Sequence, residues 1–309
     1  MVYLYVIMKF FIYNSDEIME ICYKIKPSGN PIGGEYELIK NGIETNPKTE
    51  LVDNEKDADY VIYHGRNAWG WSSKYVSESL IKNPDKAIII DYHDSPNYIL
   101  PDNAKYYFKR STLQRDGCKF KTPKYSREIY TINYCVRPDF LEYVSNKGII
   151  KKDIDIGVFF DPNNKHIVNY NRSKVTKFIR DSKRLDKYKK HIGLIKPEDK
   201  EYRNEPNYDY IDMMLRCKII VTCNPSQWYG DYRLYEALIS GAIVFVDRMP
   251  SAFGKSYDLD DLTSLSKSID FYLKTPYLLN DAIETSIKDV YNNGLTKNLI
   301  DRILKVIDK

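Results

Sequence analysis

The chain has 309 residues, and its 47 Lys and Arg against 43 Asp and Glu give a formal net charge of +4. A hydrophobic fraction of 43% with 29% charged residues excludes disordered, collagen-like and coiled-coil chains, and the small positive excess does not argue for a dedicated nucleic-acid binder. The length fits one large domain or two of ordinary size, because single cores stop growing at roughly 250–300 residues. Tyrosine is over-represented, with 28 Tyr against 11 Phe and 3 Trp, a bias that also suits a Lys-, Asn- and Ile-rich coding sequence. Five cysteines, Cys22, Cys118, Cys135, Cys217 and Cys223, are widely spread with no Cys-x-x-Cys pair, so neither a zinc ribbon nor a disulfide framework is read.

Taken in chain order, residues 2–13 (VYLYVIMKFFIY) form an apolar run broken by Lys9. It is too short to span a bilayer and lacks a basic flank or cleavage site, so it reads as a buried first strand. Residues 29–48 begin as a Gly/Pro loop and become a short amphipathic helix. Short apolar runs follow at residues 60–63, Ala87–Asp91, 106–108 and 129–134, with a helical pattern at 71–82. Strand-sized runs ending in polar residues and separated by helix-length spacers imply βα units and a parallel sheet.

A second series starts after Arg137-Pro138-Asp139. It comprises a strand at 154–160, helix 173–182, strand 191–195, helix 208–216, strand 218–222, helix 233–240 and strand 242–247. The economical architecture is α/β, with two Rossmann-like domains of parallel sheet facing a central cleft. Residues 1–145 make the first, residues 146–295 the second, and a last helix at 296–309 packs back on the first. No transmembrane helix is read, and a cytoplasmic location is expected. Ligands of such sheets bind beyond the carboxyl ends of the strands.

Residues 208–250 carry the densest chemistry. Strand 218–222 delivers the chain into a loop with Asn224, Pro225, Ser226, Trp228 and Gly230. Asp231 is placed to cap the next helix, Arg233 stands in its first turn, and Gly241 follows its end. A helix N-terminus offers free N–H groups and a positive dipole end that suit a diphosphate, and Arg233 adds a two-pronged donor. Glu236, one turn on, can reach vicinal hydroxyls, and Trp228 can stack on a base or a sugar.

The order Pro225-Ser226, Asp231, Arg233, Glu236-Ala237-Leu238, Ser240-Gly241 and then the strand Ala242-Ile243-Val244-Phe245-Val246 resembles the nucleotide-sugar site of GT-B-fold glycosyltransferases, especially exostosin-like and family-1-like members. The resemblance implies sugar transfer from a nucleotide-sugar donor, held mainly by the second domain, to a hydroxyl of a glycan, protein or small molecule entering from the first. It also implies donor contacts from Asn224, Ser226, Trp228, Gly230, Asp231, Arg233 and Glu236, with Arg172 and Lys177 where related proteins put cations against the diphosphate. Retaining members often carry an acid eight positions before the Glu of Glu-Ala-Leu. Here that position is Trp228, which favours inversion. A sugar-nucleotide epimerase on the same fold and a non-catalytic binding module are the alternatives, and a modified-base acceptor in nucleic acid is the least expected partner.

An inverting transferase needs a group to take the acceptor proton. Asp91, His93 and Asp94 follow the Ala87–Asp91 run, His64 ends the run at 60–63, and Lys109 and Arg110 follow residues 106–108, the last as a further donor contact. No Asp-x-Asp stands at a strand end. Asp258 and Asp260 precede a helical pattern and read as caps, so no metal or other cofactor is expected.

Overall fold

The computed structural model describes residues 7–13, 33–65, 82, 84–92, 104–110, 128–195, 207–226, 232–247 and 254–308. These fall into two compact units. The first holds the described residues up to 110, residues 128–138 and residues 295–308, and the second holds the described residues from 139 to 294. Of the helical pattern expected at 71–82, only residue 82 lies within the described residues.

The first unit is a six-stranded parallel sheet, built from β1 (Met8–Tyr13), β2 (Thr49–Leu51), β3 (Tyr60–Gly65), β4 (Ala87–Asp91), β5 (Tyr106–Lys109) and β6 (Tyr130–Thr131) in the spatial order β2-β1-β3-β4-β5-β6. All five residues of β4 are buried, the mark of a central strand covered on both faces rather than one that alternates. Helix α1 (Gly33–Thr45) leads from β1 to β2. Sequence patterning misses β2 because three residues, half-exposed at both ends, carry no readable period.

The last helix, α8 (Thr296–Ile307), belongs to this unit and lies on α1. Its buried Leu299, Ile300, Ile303, Leu304 and Ile307 recur at helical spacing, each worth roughly 1.5–3 kcal/mol of gross burial. The two backbones approach closely at Gly42, where a Cβ would stand 2.7 Å from the Thr296 carbonyl oxygen. Asn46 Nδ2 donates to Asp301 Oδ1 at 3.0 Å, which fixes the pair along its length.

The second unit contains α2 (Pro138–Asn146), β7 (Ile154–Val158), α3 (Tyr170–Asp181), β8 (Lys190–Ile192), α4 (Tyr208–Leu215), β9 (Cys217–Val221), α5 (Tyr232–Ile239), β10 (Ile243–Asp247), β11 (Lys255–Tyr257), α6 (Leu262–Lys274) and α7 (Pro276–Asn293). After β6 the chain enters the helix α2, whose Phe140 is buried with Ile211 and Leu215 of α4. Its five strands are parallel in the order β11-β10-β9-β7-β8. β7 runs only to Val158, and β8 stops at Ile192, before Gly193 at φ +130°. β7 can lie close to β9 because residue 157 is glycine: a Cβ there would meet the Cys217 Sγ at 2.6 Å.

Lys152 holds this unit together from below the sheet. Its Nζ donates to the carbonyls of Leu215, Cys217 and Ser240, at 3.1, 2.9 and 3.1 Å. Two of these carbonyls lie at or just past the ends of α4 and α5, where the helix leaves acceptors unused and the dipole favours a cation. Burial pulls the Lys152 ammonium down to about 8. Gly241, at φ +68°, supplies the left-handed residue that ends α5 and returns the chain to β10.

Candidate functional site

In the second sheet the chain goes from β7 outward to β8 and then back across to β9, so the strand order reverses between β7 and β9. Open parallel sheets bind ligands beyond the carboxyl ends of the strands at such a reversal. The residues there are Phe159 and Phe160 after β7, Thr222 to Ser226 after β9, Asp247 at the end of β10, and the first turns of α3 and α5.

Two guanidinium groups lie over one ring at this point. The Arg172 guanidinium carbon is 5.0 Å from the centre of the Phe160 ring and that of Arg233 is 5.3 Å from it. Phe160 is itself buried in the core of the unit. An aromatic face offsets part of the repulsion between two nearby cations and fixes their orientation. Arg172 is buried and partly occupied: its Nε donates to the Cys223 carbonyl at 3.0 Å and its Nη1 to Asn169 Oδ1 at 2.9 Å. Arg233 is half-buried in the first turn of α5. Glu236, one turn later and also half-buried, accepts at Oε2 from the Tyr210 hydroxyl at 3.1 Å. The Tyr210 ring stands edge-on to Phe159.

The loop after β9 is anchored from several sides. Asn224 is buried, giving its backbone N–H to Asp247 Oδ1 at 2.6 Å. Ser226 donates its N–H to the Val168 carbonyl at 2.8 Å and accepts at Oγ from the Asn171 N–H at 3.0 Å. Arg172, Asn224, Ser226, Arg233 and Glu236 are thus grouped by α3, β9 and α5 of one unit. Lys177 stands apart on the exposed side of α3 with Lys174. Trp228, Gly230 and Asp231 lie outside the described residues. Sequence reading missed Phe160, Asn169, Tyr210 and Asp247. Only Asp247 leaves a signal there, as a polar residue ending an apolar run.

The strand ends of the first unit hold a second polar group. Asp91 and Lys109 are a fully buried ion pair at 2.9 Å, and the same Asp91 Oδ2 accepts from the Tyr107 hydroxyl at 2.5 Å. Burial lowers the Lys109 pKa, and Asp91 works against that shift. Arg110 is buried and gives Nε and Nη2 to the Tyr92 carbonyl at 3.2 and 3.1 Å, beneath the stacked rings of Tyr92 and Tyr134. His64 is 5% exposed, and neither ring nitrogen meets a hydrogen-bond partner among the described residues. Its ring faces Tyr36 at 5.8 Å, and burial holds its pKa down to about 4, so the imidazole is neutral at pH 7. His93 and Asp94 lie outside the described residues. Among the described residues no group of three or more His, Cys, Asp or Glu is placed to hold a metal, and no helix is long and apolar enough to cross a membrane. Asp258 accepts the Asp260 N–H at 2.9 Å, and the cap of α6 is Asp261.

The two parallel α/β sheets match the fold of GT-B glycosyltransferases. An alpha-glucosyltransferase solved with UDP-glucose and DNA containing an abasic site is similar at 10% identity and a TM-score of 0.55, covering 98% of this chain and 99% of that one. HepE of Anabaena, solved with UDP-glucose, is similar at 9% identity and a TM-score of 0.50, covering 97% and 99%. No family model matches the sequence, and no curated protein matches it.

Proposed function

We propose that the chain is a nucleotide-sugar-dependent glycosyltransferase, inverting and independent of metal, that moves a hexosyl or pentosyl group to a hydroxyl acceptor. The observation that carries this reading is the pair of guanidinium groups over Phe160 beside the start of α5, at the strand reversal of the second sheet. Two oriented cations and a helix N-terminus suit the oxygens of a diphosphate, and they can take up the charge that grows there as the glycosidic bond breaks. Arg233 serves as a direct phosphate contact. Arg172, already engaged with Cys223 and Asn169, contributes mainly by field and by holding the loop. Glu236, oriented by Tyr210, accepts hydroxyls of the donor.

In the inverting reaction the acceptor oxygen bonds to the anomeric carbon from the side opposite the departing nucleoside diphosphate, and a base takes the hydroxyl proton. His64, Asp91, His93 and Asp94 are the candidates. Asp91 is committed to Lys109 and Tyr107, and His64 is neutral but a weak base, so His93 and Asp94 rank first. A nucleic-acid acceptor is a second reading, favoured by the full-length similarity to an alpha-glucosyltransferase solved with DNA. It predicts duplex binding that weakens steeply with salt.

The test is a thermal-shift screen of nucleoside diphosphates and their sugars, followed by transfer assays with and without EDTA. One nucleoside diphosphate is expected to raise the melting temperature, and Arg233→Ala and Glu236→Ala are expected to abolish most transfer while keeping the circular dichroism of the parent. Parental donor affinity in both variants places the donor elsewhere, and an isomerised sugar nucleotide formed without acceptor identifies an epimerase instead.

A further inference from the structure

Asp247 ends β10 and is 1% exposed, behind the wholly apolar stretch Ile243-Val244-Phe245-Val246. A carboxylate in such a place is strongly disfavoured unless hydrogen bonds replace its water. The bonds it makes are informative. β9 and β10 pair in parallel from Ile243↔Ile219 to Phe245↔Val221, and beyond β9 the Thr222 N–H still reaches the Phe245 carbonyl at 2.8 Å. The next rung of a parallel ladder runs two residues on, from the Asn224 N–H to the Asp247 carbonyl. Here the Asn224 N–H goes to Asp247 Oδ1 instead, at 2.6 Å, and the Asn224 side-chain Nδ2 takes the Asp247 carbonyl at 2.8 Å.

The carboxylate thus replaces a main-chain acceptor at the point where β9 gives way to the loop. Backbone and side chain exchange partners, and the chain turns out of the sheet at Asn224 without losing a hydrogen bond. Other segments hold the neighbouring residues: the Tyr257 hydroxyl donates to the Thr222 carbonyl at 2.8 Å, Arg172 Nε to that of Cys223, and the Ser226 N–H bonds to Val168. Among these anchors Arg172 is a cation and Asp247 is the one carboxyl group, and hydrogen bonds that involve a charged group are roughly twice as strong as neutral ones.

We propose that Asp247 is a positioning residue: through Asn224 it sets the path of the Asn224-Pro225-Ser226 segment against the first turn of α3, and so the geometry in which a sugar nucleotide is bound. This rests on the donor reading above. Asp247 bonds to Asn224 of the loop, so its loss is expected to act on donor affinity through the path of that segment.

The experiment compares the full chain with Asp247→Ala and Asp247→Asn. Amide hydrogen exchange is followed across residues 217–232, and binding of UDP, GDP, ADP and CDP is measured by calorimetry. Asp247→Ala is expected to speed exchange at Asn224 by at least tenfold while β7 and α6 keep parental protection. It is also expected to weaken the nucleotide that the parent binds by at least tenfold. Asp247→Asn keeps an acceptor oxygen and is expected to recover most of both effects. Unchanged exchange at Asn224, or faster exchange with unchanged nucleotide affinity, overturns the positioning role. A parent chain that binds none of the four nucleotides refutes the donor reading, and the role in donor geometry falls with it. The exchange data then still decide whether Asp247 sets the path of the loop.

Discussion

His64 makes the first unit sensitive to acid, and the size of the effect follows from its surroundings. The ring is 5% exposed, packed against Tyr36, and without a hydrogen-bond partner among the described residues, so the fold selects the neutral form. Burial moves its pKa from 6.5 to about 4. Between these values the unfolded chain binds a proton that the folded chain does not, so stability rises with pH across that window. The contribution is complete above pH 6.5, falls as the pH drops toward 4, and is fully lost below it. One pKa unit corresponds to about 1.4 kcal/mol, so this single residue removes about 2 kcal/mol between pH 7 and pH 5. The assay is urea unfolding at pH 7 and pH 5, followed by a tryptophan or tyrosine signal, for the parent and for His64→Leu. The parent should lose about 2 kcal/mol more than the variant over that interval. An equal loss in both would mean that His64 is charged, or accessible to protons, in the folded chain. Such a result would also return it to the front rank as an acceptor base, because a base works best with a pKa near the working pH.

Three further substitutions test packing and orientation. Gly42→Ala puts a Cβ 2.7 Å from the Thr296 carbonyl oxygen, backbone against backbone. It should cost about 1–3 kcal/mol in urea unfolding by prising α8 from α1, and unchanged stability would show that the helices do not meet there. Lys152→Met leaves the carbonyls of Leu215, Cys217 and Ser240 without their ammonium donor, a loss of about 2–4 kcal/mol that should appear in the unfolding of the second unit. Phe160→Leu keeps the residue apolar but removes the ring beneath Arg172 and Arg233. Nucleotide affinity measured by calorimetry should fall by roughly 3- to 10-fold, as expected for one or two cation–π contacts, and parental affinity would show that the ring does not orient the guanidinium groups.

The parts of this molecule readable from its sequence are those whose signal is local. Apolar runs such as Ala87–Asp91 are complete in five residues, and both faces of that strand are buried as the run implies. The Arg233 and Glu236 spacing belongs to a single helical turn, and the structure sets both beside the β9 loop on the same helix. β11 escaped notice because it is three residues long with a single buried side chain, and its partner is β10, ten residues earlier at the register Phe245↔Lys255. Phe160, Tyr210 and Lys152 owe their roles to residues on other elements, from a dozen to nearly ninety positions away, so no spacing rule could have singled them out.

Asp91 and Asp247 show the difference most sharply. Each ends a wholly buried apolar strand, β4 in one sheet and β10 in the other. The rule that ligands meet the carboxyl ends of parallel strands applies to both, yet it singled out only Asp91, because His93 and Asp94 follow it in the sequence. In the folded chain the two carboxylates do comparable work. Asp91 takes a lysine and a tyrosine from the adjacent β5, and Asp247 takes the backbone and side chain of Asn224 beyond the adjacent β9. Each ties its own strand end to the neighbouring strand at the carboxyl edge of its sheet. A buried strand-terminal acid that accepts from its neighbours, Asp91 through Oδ2 and Asp247 through Oδ1, anchors the end of its strand. A reacting carboxylate needs an oxygen left open to its substrate, and that distinction lies in the partners of the side chain, which the sequence does not carry.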